Sequence, residues 1–181
     1  MPASVDLRAT PVVLMGLRGS GKSTLGRLLA AELGVGFADL DDVTAEVLGH
    51  PSAGAGLRAV GEPAFRDAEA EALTRVLPPG PGVLALGGGT PMSERSRSLL
   101  EGADVLLIYL RCTPEELMRR LRAEGGPDRP PLTGADTVDE VPAVFAVRDP
   151  LYRRLAQSVI ECDRRAERAV LDRVQEVMRQ R

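Results

Sequence analysis

Val12-Val13-Leu14-Met15 runs directly into Gly16-Leu17-Arg18-Gly19-Ser20-Gly21-Lys22-Ser23-Thr24, and Leu25, Leu28, Leu29 and Leu33 then fall on one helical face. An apolar strand, a glycine-rich turn and an amphipathic helix in that order leave few folds open. The turn matches G-x-x-x-x-G-K-[ST], the P-loop, whose backbone N–H groups wrap around phosphates at the positive end of the following helix. Gly19, Ser20 and Gly21 are expected to cradle phosphate, Lys22 to reach between the β- and γ-phosphates, Ser23 to ligate Mg²⁺, and Thr24 to lie near the α-phosphate. Lys22 is the only lysine among 23 cationic side chains, the rest being arginine. A compact ammonium on a flexible stem fits a tight phosphate cradle, whereas the planar guanidinium fork does not.

The rest of the chain alternates in the same manner. Val35 to Ala38, Val83 to Leu86 and Val105 to Leu110 are apolar runs that predict parallel strands, and Ser158 to Cys162 is a weaker fifth. Between them, Pro63 to Leu77 carries apolar residues at helical spacing. Thr113-Pro114-Glu115-Glu116 opens a helix through about Arg122, and Ala166 to Arg181 forms an amphipathic last helix. These features predict one α/β domain over residues 1–181, a five-stranded parallel sheet with helices on both faces. Residues 11–35 would form the nucleotide loop and first helix, and 39–77 the acceptor region. Ala123 to Ala135 breaks the pattern with three prolines, three glycines and Arg129; a segment of that length inside a compact domain is expected to be functional or disordered. Met1 to Thr10 reads as a loose tail.

Composition removes several classes. A net charge of −3 argues against nucleic acid as the main partner. No apolar run reaches membrane-spanning length and no signal peptide is visible, so no membrane partner is expected. Cys112 and Cys162 lie far apart without metal-ligand spacing; both read as reduced buried thiols, which suits a cytoplasmic protein. No long exposed apolar stripe is evident, so a monomer is expected. Among P-loop proteins, a GTPase needs Asp-x-x-Gly and Asn-Lys-x-Asp elements, and the chain has neither asparagine nor a second lysine. An apolar strand ending in Asp, usual in motor and transporter ATPases, is also missing, since Val105 to Leu110 ends at Arg111. A small-molecule kinase remains.

Candidate acceptor residues lie at later strand ends. Asp39-Leu40-Asp41-Asp42 follows the second strand, at the carboxyl edge where open α/β sheets bind ligands. If the segment stays extended, Asp39 and Asp41 point the same way, one towards Mg²⁺ and one towards an attacking hydroxyl. Capping of a helix near Val43 is the simpler role, assigned to Asp42. Arg66 and Glu69 could be an ordinary surface pair. Gly87-Gly88-Gly89 could be a plain loop or a place where a ligand meets the backbone, and Arg148 a solvated helix residue. His50, beside Pro51, reads as an exposed loop residue.

Taken together these motifs resemble the shikimate kinase family. The resemblance runs from about Val12 to Arg165. It includes the P-loop, Asp39-x-Asp41, Gly61-Glu62-x-x-Phe65-Arg66-x-x-Glu69 and Gly87-Gly88-Gly89. It ends with Arg122-x6-Arg129-Pro130 and Arg148-x-Pro150-Leu151-Tyr152. It implies ATP- and Mg²⁺-dependent phosphorylation of the 3-hydroxyl of shikimate, within chorismate and aromatic amino-acid biosynthesis. It further implies that Asp41 holds the substrate hydroxyls and acts as base, that Arg66 and Arg148 clamp the carboxylate, and that Gly88 meets the substrate through its backbone. Asp39 would sit near Mg²⁺, Arg129 would come from a mobile lid over residues 123–135 to the transferring phosphate, and Arg122 and Arg165 would lie along ATP. Two departures stand out. Ser52-Ala53-Gly54-Ala55-Gly56-Leu57 replaces the family's Ser-Ile-x-Glu-Ile-Phe, and Arg129-Pro130-Pro131-Leu132 replaces Arg-Pro-Leu-Leu. A kinase for another small hydroxy acid such as gluconate, or a nucleotide-binding regulatory module without catalysis, are the alternative readings.

Overall fold

The computed structural model describes residues 10–77, 82–123 and 138–181. The lid segment from residue 124 onward, Arg129 included, and the first nine residues therefore lie outside the described residues. Strand β1 (Val12–Met15) is buried at all four positions. Side chains alternate between the faces of a strand, so complete burial means that both faces of the sheet are covered. β1 is central. Val13 pairs with Leu84 of β3 (Val83–Ala85) on one side and with Leu107 of β4 (Leu106–Arg111) on the other. β2 (Phe37–Asp39) and β5 (Ser158–Glu161) complete a parallel sheet in the order β2-β3-β1-β4-β5. The chain leaves β1 towards one edge and β4 towards the other, which opens a crevice beyond the carboxyl ends of these neighbours. The expected five-stranded parallel architecture is present.

Helix α1 (Lys22–Leu33) begins inside the P-loop and ends at Gly34, in the left-handed conformation (φ 65°) that the sequence suggested. Val35 is taken up by that cap, donating its N–H to Ala30 O at 3.0 Å, so β2 starts at Phe37 rather than Val35. The Asp39-Leu40-Asp41 segment does not stay extended. Helix α2 (Leu40–Leu48) starts directly after β2, because Asp39 itself is the N-cap, its carboxylate accepting from Asp41 N at 3.1 Å. Asp42 lies within the first turn, not at the cap.

Three helices had weak sequence signals. In α3 (Ala53–Val60) two glycines dilute the pattern, but Ser52 Oγ accepts from Ala55 N at 3.2 Å, and Ala53, Leu57 and Phe65 bury together against Leu48. His50, just before it, is half-buried rather than exposed. α5 (Glu94–Gly102) is strongly polar and is started by Ser93. α7 (Val141–Leu155) hides its period behind Pro142 and an interior Pro150. With α4 (Glu62–Val76), α6 (Pro114–Ala123) and α8 (Glu167–Arg179), the helices enclose one main core built on the strands. Among the described residues no helix is long and apolar enough to cross a membrane.

Candidate active site

The P-loop turns through Gly19 (φ 81°) and Gly21 (φ 91°), a region in which a side chain would be strained. Ser20 N donates to Leu17 O at 3.2 Å, while Ser20 Oγ lies back against Gly16, so this residue faces the cavities with its backbone. Lys22 Nζ donates to Leu17 O at 3.0 Å and is buried. Burial pushes its ammonium below the usual lysine range, and the charges of Asp41 and Asp39 oppose that shift. Ser23 Oγ donates to Asp39 Oδ2 at 2.5 Å, while Oδ1 of the same carboxylate holds the first turn of α2. Asp39 thus ties α1 to α2. The hydroxyl and carboxylate oxygens lie side by side, a hard-oxygen donor pair that fits Mg²⁺. Among the described residues no group of three His, Cys, Asp or Glu could hold a metal alone, so Ser23 and Asp39 would need phosphate and water to complete the shell.

Two cavities meet at this loop. One, of about 570 Å³, is lined by Gly19, Gly21, Thr24, Arg120, Cys162 and Arg165 among others. The second, of about 670 Å³, is lined by Lys22, Ser23, Asp39, Asp41, Ser52 and Gly88, with Arg18 and Gly54 nearby. Arg165 lines the first of these cavities, beside the P-loop. Arg122 stands apart from this lining: it is largely exposed, and its guanidinium faces Asp139 at 3.9 Å. Arg120 takes the inward place. Its Nε donates to Glu116 Oε1 at 2.7 Å, its NH2 to Cys162 O at 2.8 Å, and its NH1 to Ser20 O at 3.4 Å. Bonds from Arg119 and Arg120 pull the Glu116 carboxyl down to about 2. Arg119, Arg120 and Arg122 are chemically alike in the sequence; the sequence signal for Arg120 is its position four residues after Glu116, on the face of α6 turned to the P-loop.

Cys112 and Cys162 are both free and buried. Strand pairing brings them together beyond the Arg111–Glu161 register, Cys162 Sγ donates to Ile160 O at 3.2 Å, and the neighbouring thiols lower Cys112 and raise Cys162.

The acceptor side converges on Gly87-Gly88-Gly89, which follows β3. A Cβ on Gly87 would stand 2.6 Å from Asp41 Oδ1 and 2.8 Å from Glu69 Oε1, and one on Gly89 would run into the Arg66 guanidinium. Only glycine lets these side chains close on the loop. Gly88 O accepts from Arg148 NH1 at 2.8 Å and from Tyr152 Oη. Burial, then the Asp39 charge, raise the Asp41 carboxyl from 3.8 to about 6, with Lys22 pulling the other way. Arg66 and Glu69 are not a surface pair. Glu69 is 1% exposed, accepts from Arg66 NH1 at 2.8 Å, and takes Thr90 Oγ1 at 2.6 Å on its other oxygen. Asp41, Arg66, Gly88 and Arg148 are brought to one loop, a triphosphate-type cradle on one side and two guanidinium groups on the other. Such a site can align a hydroxyl on a small anionic molecule for phosphoryl transfer.

Comparison with known proteins agrees. A family profile described as shikimate kinase matches residues 18–179. The chain is similar to a shikimate kinase of Mycobacterium avium (strain 104), 42% identical over 163 residues and 90% of each chain. It is also similar to one of Nitrobacter winogradskyi, 38% identical over 157 residues, 87% of this chain and 72% of the other. Among solved structures, the shikimate kinase from Acinetobacter baumannii in complex with shikimate superposes with a TM-score of 0.82 at 28% identity, covering 97% of each chain. The shikimate kinase from Bacteroides thetaiotaomicron gives a TM-score of 0.77 at 28% identity, covering 93% of this chain and 98% of the other. With its parallel sheet, its P-loop and its glycine loop flanked by Asp41, Arg66 and Arg148, the chain belongs to the shikimate kinase family.

Proposed function

We propose that this chain transfers the γ-phosphoryl of ATP to the 3-hydroxyl of shikimate, giving shikimate 3-phosphate for chorismate and aromatic amino-acid biosynthesis. The single observation that carries this reading is the placement of Asp41. It is a carboxylate with a raised pKa, beside Lys22 and Asp39 on one side and against Gly87 of the loop that Arg66 and Arg148 also meet on the other.

In this reading ATP lies with its base in the cavity of Arg120 and Arg165 and its phosphates along Gly19 to Thr24. Arg120 takes the place that the resemblance assigned to Arg122. Lys22 leaves Leu17 O to meet the β- and γ-phosphates, and Asp41, Asp39 and the phosphate charge all favour its protonated form. Mg²⁺, held by Ser23 and Asp39, supplies Lewis-acid neutralisation of phosphate charge when bound. Arg66 and Arg148 grip the ring carboxylate, a task suited to the guanidinium fork. Asp41 accepts a hydrogen bond from the 3-hydroxyl, aims it in line and takes its proton as the bond to phosphorus forms. Arg129, outside the described residues, is assigned to charge on the transferring phosphoryl. Gluconate and regulatory-module readings gain no support from any particular observation. A cytoplasmic monomer without a nucleic-acid or membrane partner remains the expectation.

Product analysis tests the reading. Phosphorus NMR with proton coupling should place the new phosphate on the carbon bearing the 3-hydroxyl. Phosphate on another oxygen, or inorganic phosphate alone, would contradict it.

A further inference from the structure

Asp149 follows Arg148 in the chain, at the unassigned position of the Arg148-x-Pro150-Leu151-Tyr152 pattern. It is 9% exposed and touches neither cavity lining. It nevertheless accepts three hydrogen bonds. Tyr109 Oη (3.0 Å) and Arg111 Nε (2.7 Å) reach Oδ1, and Arg153 Nε (2.9 Å) reaches Oδ2. Arg111, the last residue of β4, also donates to Glu161 Oε2 at 2.9 Å, and its guanidinium lies 5.0 Å from the centroid of the Phe145 ring. Phe145, Asp149 and Arg153 are spaced by four, so they form one face of α7, and that face is fastened to the ends of β4 and β5.

The adjoining face of α7 carries the acceptor contacts. Arg148 and Tyr152 both donate to Gly88 O. Tyr109 joins the two faces: its hydroxyl binds Asp149 and its ring meets that of Tyr152 edge-on, centroids 5.4 Å apart at 88°. The helix needs such fastening at this turn. Pro150 has no N–H, so the carbonyl of Ala146 loses its helical partner within one turn of Arg148.

We propose that Asp149, acting through Arg111, is a positioning residue for the acceptor: it holds the middle of α7 on the sheet so that Arg148 is aimed at the Gly88 loop. This rests on the reading of Arg148 as a carboxylate clamp.

The test is a kinetic double-mutant cycle on the whole enzyme, with kcat and the KM of both substrates measured for Asp149→Asn, Arg148→Ala and the pair. Losing charge-assisted bonds at Asp149 should raise the KM for shikimate about tenfold, with kcat and the KM for ATP changing by less than about twofold. In the Arg148→Ala background, Asp149→Asn should add less than about twofold, since the group it aims is gone. Arg111→Met, which keeps an apolar stem over Phe145, should repeat this behaviour and carries the cycle if Asp149→Asn does not fold. Independent, multiplying effects of the two substitutions, or equal losses for both substrates, would overturn the proposal while leaving the clamp intact. An Arg148→Ala enzyme with unchanged shikimate KM would overturn the clamp reading and the proposal with it.

Discussion

The Arg66 guanidinium donates to Oε2 of Glu69 at 2.8 Å, one turn along α4, and Glu69 is sealed from solvent while its other oxygen takes the Thr90 hydroxyl. A buried carboxylate thereby fixes the direction of the arginine that packs against Gly89. Removing it in Glu69→Ala leaves the Thr90 hydroxyl without its carboxylate and Arg66 with only the longer contact to Glu62 at 3.5 Å. The expected cost is about 3 kcal/mol of stability, the low end for a broken buried pair because the Arg66 side chain keeps 16% exposure. Shikimate KM should rise alongside. Chemical denaturation and steady-state kinetics check both; a stability loss with normal shikimate KM would mean that Glu69 supports the fold and not the clamp.

Gly89→Ala tests the close approach of Arg66 to the loop. The new methyl would displace the Arg66 guanidinium and so disturb its pair with the buried Glu69. Shikimate KM should rise about tenfold, as for loss of one charge-assisted hydrogen bond, and the melting temperature should fall because a buried carboxylate loses its partner. A large drop in melting temperature with unchanged KM would contradict the placement of Arg66 against the loop.

Asp41 makes activity and stability run in opposite directions with pH. Its folded pKa of about 6 exceeds the ordinary 3.8, so the fold disfavours the ionised form. That destabilisation is complete above pH 6 and disappears as pH falls below 3.8. Asp41→Asn should therefore abolish turnover yet raise stability at pH 8, by up to ~3 kcal/mol, with the gain shrinking as pH drops from 6 towards 4. In the unmutated enzyme kcat/KM for shikimate should fall on an acid limb with an apparent pKa near 6, since only the ionised carboxylate accepts the proton. Denaturation curves across pH for both proteins, with the pH–rate profile, give the answer; Asp41→Asn less stable at pH 8 would refute the assignment.

Two arginines on α6 should behave differently. Arg120→Ala is expected to raise the KM for ATP about tenfold, because this residue lines the cavity and contacts the P-loop backbone. Arg122→Ala should change it by less than about twofold, since its exposed pair with Asp139 contributes little. The reverse ranking would restore Arg122 to the nucleotide.

Much of this was legible in the sequence, for physical reasons. Buried parallel strands are continuous apolar runs, and a P-loop is a local motif, so β1, α1 and the order of alternation could be read directly. The gathering of Asp41, Arg66 and Arg148 at one glycine loop was foreshadowed by motif spacing. What was not legible depends on helix phase and on long-range pairing. The choice of Arg120 over Arg122 needs the orientation of α6 against the P-loop. The capping role of Asp39 needs β2 to end one residue before α2 begins. The burial of Glu69 needs Thr90, far along the chain, to arrive beside it. Helix α7, with Pro142 in its first turn and Pro150 inside it, shows no clean period, and only the folded sheet supplies Arg111 and Tyr109 to hold it.

The most direct test of the central claim is a coupled ADP-release assay with ATP and Mg²⁺, run with shikimate, with gluconate and with no acceptor. ADP release should depend on shikimate, saturate with it, and match the shikimate 3-phosphate formed mole for mole. Release that is independent of acceptor, that prefers gluconate, or that is absent from a folded protein would contradict the account.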